Sequence, residues 1–162
     1  MVETAAPPRT SAPVQPPIKE GEREPKFAFK FEPGPAFSLD YLLVHNEVQG
    51  TIRFTDKLSA TYRTMSVEAI QAIEGATDLA KNRDRTAKFV MNEMTIAQLY
   101  HALVAVNSQS LPKGTSYGDE KDPRRSYIRS LPGTLFDYLV KGLSEFDAHC
   151  RELVGGNSLG NF

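Results

Sequence analysis

From Leu135 onward the chain alternates apolar and polar positions with the period of a helix. Leu135, Leu139, Leu143, Phe146, Cys150 and Leu153 recur at three- and four-residue steps, and Phe136 and Val140 widen the stripe. Leu131-Pro132 stops whatever precedes this helix, with the proline suited to its first turn, and Gly155-Gly156 ends it. Upstream, Asp122-Pro123 places a capping side chain before a proline at the first helical position, which predicts a short helix over Pro123 to Arg129. Ser66 caps a predicted helix running to about Lys81, with Val67, Ile70, Ile73, Thr77 and Ala80 on one face. Gly75 costs that helix about 1 kcal/mol relative to alanine, which packing can offset. Phe89, Val90, Ile96, Leu99, Tyr100, Leu103, Val104 and Val106 also follow helical spacing and predict a core helix, with Thr95 as an internal cap should the segment be two helices. Gln109 to Lys121 is predicted as a loop.

Strand period shows only toward the front. In Lys26 to Phe31 the aromatic residues Phe27, Phe29 and Phe31 alternate with small or charged ones, as in a half-buried strand. Phe37 to Val44 fits a strand or a helical turn equally. Val48 to Tyr62 fits a hairpin with Ile52, Phe54, Leu58 and Tyr62 inward, or a strand followed by a short helix from Asp56, so residues 37–62 stay open between strand and helix. Eight of the eleven prolines fall between Pro7 and Pro35, the earlier ones among small, polar and charged residues, and a segment so poor in apolar surface does not offset the entropy of ordering it. The fold class predicted is therefore mainly α: a single small helical domain over 27–154 with a short N-terminal β-strand or hairpin element. It is preceded by a disordered Pro-rich arm over 1–26 and followed by a flexible tail over 155–162.

Composition narrows the function. Nineteen basic residues stand against twenty acidic ones, so no whole-protein field favours nucleic acid or an anionic membrane. The start of the chain lacks the basic and apolar regions of a secretory signal, and no stretch has the ~20 apolar residues of a membrane span. A single cysteine excludes an internal disulfide. His45, His101 and His149 lie in separate segments without metal-ligand spacing, so no metal and no cofactor is expected. His149 and Cys150 are neighbours on a helix and point about 100° apart, so they do not face each other, and Cys150 on the apolar stripe reads as an inert thiol. Lys113-Gly114-Thr115 has a trace of a phosphate loop but lacks its first glycine. Asp137, Glu145, Asp147 and Glu152 read as surface carboxylates. An enzyme would need a pocket that gathers Tyr100, His101 and distant carboxylates. The Arg83, Arg85, Arg124 and Arg125 clusters fit a solvated face, or in a second reading a regulatory or nucleic-acid-associated adaptor.

The phrases LYHALVAVNSQSLP and YIRSLPGTLFDYLVKGLSEF, separated by a polar loop, carry a resemblance. In them an apolar helical phrase precedes a short helix, a Leu-Pro step and an amphipathic helix. Over roughly residues 48–153 this order resembles the small tail-assembly chaperone and baseplate-hub assembly proteins of tailed phages. The resemblance implies a non-enzymatic protein that docks onto phage tail, hub or baseplate proteins or the tape measure. It would be made in the host cytoplasm and, as a structural component, retained in the virion tail; self-association is compatible with this. The partner-binding residues it suggests are Leu135, Phe136, Leu139, Leu143 and Phe146, since interfaces depend on a buried apolar cluster.

Overall fold

The computed structural model describes residues 27–83 and 86–155, apart from the side chains of 79–83, 88 and 89. In chain order its elements are β1 (Lys30–Pro33), α1 (Leu39–His45), β2 (Gln49–Thr55), β3 (Leu58–Arg63), α2 (Val67–Arg83), α3 (Ala87–Ala102), β4 (Leu103–Val106), β5 (Gln109–Ser110), α4 (Pro123–Arg129) and α5 (Gly133–Gly155). The strands form one antiparallel sheet in the order β1-β2-β3-β4-β5. This corrects the mainly helical expectation: the fold is mixed, with five helices and a five-stranded sheet among the described residues. The expected arm and all but Gly155 of the expected tail lie outside them.

The largest correction is at Leu103–Val106, which continues the apolar spacing of α3 but forms a strand. A four-residue apolar run satisfies either period. What decides is the partner: Leu103, Ala105 and Val106 pair with Tyr62, Thr61 and Ala60. Asn107 and Ser108, with φ of 50° and 65°, then turn the chain into β5. Asn107 also bridges back to the β2–β3 turn, its carboxamide accepting from Ser59 N at 2.8 Å and donating to Lys57 O at 2.9 Å. Thr95 caps nothing; its hydroxyl donates to Met91 O at 2.6 Å inside an unbroken α3.

The open stretch 37–62 divides cleanly. Ser38 accepts from Tyr41 N at 3.0 Å to start α1, and Asn46 ends it in the left-handed region. The hairpin reading holds for β2 and β3, where Thr55 pairs with Leu58 across Asp56-Lys57. The front strand begins later than its aromatic alternation suggested. Residues 27–29 run onto α5 instead, where Glu145 accepts from Ala28 N and Phe29 N at 3.0 and 3.1 Å. Phe27 and Phe31 both stack on His149, at 3.8 and 4.0 Å.

One face of the sheet is apolar, and α5 crosses it over β2 and β3. Ile52, Ala60, Tyr62, Leu139 and Phe146 are buried there, with Phe31 and Phe54 packed against them. On the opposite face the pairs are polar: the Thr51 and Thr61 hydroxyls meet at 2.8 Å and Arg53 donates to Glu32 at 3.0 Å. An antiparallel sheet covered on one side takes this alternation. The approach of α5 is close because Gly142 has no side chain; a Cβ there would meet Phe54 Cζ at 2.6 Å and press on the Tyr62 hydroxyl. That hydroxyl donates to Leu139 O at 2.7 Å, so the same contact holds the only polar atom of Tyr62. Helix α2 lies against α3. Its expected apolar face is only partly used, with Ile73 buried while Val67 is 71% and Ile70 45% exposed.

Replacing Gly142 with alanine forces α5 off the sheet or Phe54 out of place. Urea unfolding of Gly142→Ala should show a loss of about 1–3 kcal/mol, the ordinary cost of overpacking a filled core. An unchanged midpoint would mean that α5 does not sit this close.

Candidate functional site

Sequence reasoning assigned Asp122 one task, to cap α4. The structure gives it three neighbours more. Its side chain is fully buried, and besides Arg124 N and Arg125 N (2.9 and 3.0 Å) it accepts from Tyr100 Oη at 2.8 Å, Thr115 N at 2.8 Å and Ser116 N at 2.7 Å. Burial on its own would raise the carboxyl's pKa; the hydrogen bonds from Arg125 N, Tyr100, Thr115 N and Ser116 N outweigh it and bring it to about 2. The chain just after Lys113-Gly114 is thus wrapped on an internal carboxylate, with Thr115 N and Ser116 N both taken by Asp122. Gly114 lies against the Tyr100 ring, where a Cβ would fall 2.8 Å from Cζ.

Arg124, two residues after Asp122, solves a problem created by the absence of a loop between α3 and β4. The last carbonyls of a helix lack partners within it. Arg124 donates to Tyr100 O at 2.7 Å and to Leu103 O, and Arg63 donates to His101 O at 2.8 Å. Arg125 and Arg129, one turn apart on α4, both reach Glu93 of α3, which is buried and also receives the Tyr117 hydroxyl at 3.3 Å. Arg125 lies over the Tyr117 ring at 4.9 Å and donates to Tyr117 O at 3.1 Å. Glu93 escaped the sequence reading, although an acid three residues before Ile96 on an apolar helix was the available signal.

The junction does bring together Tyr100, His101 and two carboxylates, the grouping an enzyme reading required. Tyr100 and both carboxylates are hydrogen-bonded within the protein there. Tyr100 is pushed up to about 12 by burial and by its bond to charged Asp122, and Tyr117 to about 12 by burial and the Glu93 charge. Burial, with Arg63 and Arg124 nearby, lowers His101. Arg124 and Arg125 are engaged inside the protein, while the side chains of Arg83 and Arg85 lie outside the description. Among the described residues no group of three or more His, Cys, Asp and Glu is placed to hold a metal ion, and no helix is long and apolar enough to cross a membrane. Burial, reinforced by Asp147, pushes the Cys150 thiol up to about 12. Glu145 and Asp147 are half-buried, where a surface position was expected.

Of the partner-binding residues suggested by the sequence, Leu139, Leu143 and Phe146 are buried in the protein's own core, and Leu135 and Phe136 are half-buried against it. Phe136 also forms a wall of an open cleft of about 280 Å³ between α3, α4 and the start of α5. Asn92, Ile96, Ile128, Arg129, Leu131 and Gly133 line the rest.

Asp122 carries a pH signature. Its pKa is lowered on folding, so the stability it contributes is complete above about pH 4, the range of a free carboxyl, and is lost as pH falls through about 2. Asp122→Asn should cost about 1–3 kcal/mol at pH 7, since a neutral amide meets these donors poorly. The stability gap between wild type and variant, followed by urea unfolding, should narrow from pH 4 downward; a constant gap would show that the Asp122 charge is not the source.

Comparison with protein-family models, with curated proteins and with solved structures returned no match, so what can be said of the function rests on this geometry and on the residue patterns.

Proposed function

We propose that this chain is a non-enzymatic docking protein of a tailed-phage tail, either a baseplate or hub component or a tail-assembly chaperone. The observation that supports it best is apolar surface left uncovered on α1 and on the first turns of α2. On α1, Leu39, Leu43 and Val44 are 45%, 72% and 74% exposed, and Val67 and Ile70 open the first turns of α2 in the same way. Leucine and valine side chains grouped on a helix surface favour association with another protein. Of the two phrases that resemble tail-assembly proteins, the first runs from Leu99 at the end of α3 to Pro112, and the second, Tyr127 to Phe146, includes Ile128, Arg129, Leu131, Gly133 and Phe136 of the cleft. In this reading Leu135 and Phe136 meet the partner, while Leu139, Leu143 and Phe146 hold the helix that presents them.

The test is retention of partners by the tagged full chain from phage-infected lysate at low and high salt, identified by mass spectrometry. A tape-measure, hub or baseplate protein retained through high salt is expected, because apolar docking is little screened. Retention only of nucleic acid, lost as salt rises, would overturn the reading.

A further inference from the structure

We propose that the cleft between α3, α4 and the start of α5 receives one bulky apolar side chain of a partner polypeptide, with a carboxylate of that polypeptide beside it. This rests on the docking reading for there being a partner. Size comes first: at about 280 Å³, the lower edge of the ~300–1,000 Å³ range of small-molecule sites, the cleft has room for one bulky side chain. Its floor and walls are Ile96, Ile128, Leu131 and Phe136, an apolar lining that rewards a leucine or aromatic insert.

Charge then chooses the flank. Arg129 is the one charged residue in the lining, and its side chain is 44% exposed. It shares Glu93 with Arg125, so two guanidinium groups face a single buried carboxylate and the cluster keeps one positive charge. Arg125 lies deeper, its side chain 13% exposed, which leaves Arg129 as the group a ligand can reach. The first turn of α5, which opens at Gly133 in the lining, holds no acidic residue to offset that charge. An acidic neighbour on the incoming segment is therefore attracted, and a basic one repelled.

The experiment titrates the isotope-labelled full chain with three blocked pentapeptides and follows amide signals by NMR. One carries leucine and phenylalanine before two aspartates, one the same pair before two lysines, and one two alanines before two aspartates. The first should shift signals of Asn92, Ile128, Leu131 and Gly133 and bind at least about threefold tighter than the second, the scale of one partly exposed charge contact. The alanine peptide should bind weakest. Asn92→Asp adds a carboxylate to the lining without removing the Arg129–Glu93 contact, and should erase most of the charge preference. Equal affinity for the acidic and basic peptides, or shifts confined to α1, would overturn the proposal. Shifts at the same residues that grow with protein concentration alone would overturn it in favour of a second copy as occupant. Repeating the lysate capture with the wild-type chain and with Asn92→Asp separates the two readings: capture of a tail protein leaves docking standing even where the peptides remove the cleft. Capture by neither chain removes docking, and the peptide titration still decides the cleft.

Discussion

The architecture depends on one buried carboxylate. Asp122 collects donors from α3, from the 112–121 loop and from the first turn of α4, which otherwise would face one another without an acceptor. Unpaired buried donors cost about 1–3 kcal/mol each, so this one acceptor stabilises the seating of both the loop and the helix. Seating α4 also delivers Arg124 to the last carbonyls of α3 and Arg125 to Glu93. The chain can then pass from Ala102 of α3 to Leu103 of β4 with no connecting loop.

A second constraint acts on the other side of the core. Gly142 brings α5 down on the sheet, the Tyr62 hydroxyl finds Leu139 O, and the apolar stripe of α5 is consumed by Ile52, Tyr62 and their neighbours. Three of the five residues singled out for partner binding are therefore structural in placement. The first turn of α5 is spent differently: there Phe136 lines the cleft with Ile96, Ile128 and Leu131. The core and the cleft thus draw on different stretches of one helix.

Polar groups that the linear pattern reads as surface, as Glu145, or gives no role, as Glu93 and Asn107, tie the elements together. Glu145 receives the backbone of residues 28 and 29, Glu93 joins two arginines and a tyrosine, and Asn107 reaches across to the β2–β3 turn. Their roles depend on residues many positions away, and spacing within a helix cannot reveal a partner on another element.

Local chemistry was legible where one short segment decides the outcome. The Asp122-Pro123 start of α4, the Ser66 cap of α2, the Leu-Pro step and the stripe of α5 all follow from capping, proline geometry and helical period, and each appears within a few residues of its predicted place. Where two local answers cost nearly the same, the tertiary structure chose: α1 for residues 39–45, a hairpin for 49–63, and a strand at Leu103–Val106 because β3 offers it a hydrogen-bonding edge. The sheet, and with it the mixed fold class, was hidden for this reason: strand pairing is a non-local interaction, while helix propensity and caps act within a few residues. The same holds for the cleft, whose walls come from three helices that only the folded chain brings side by side.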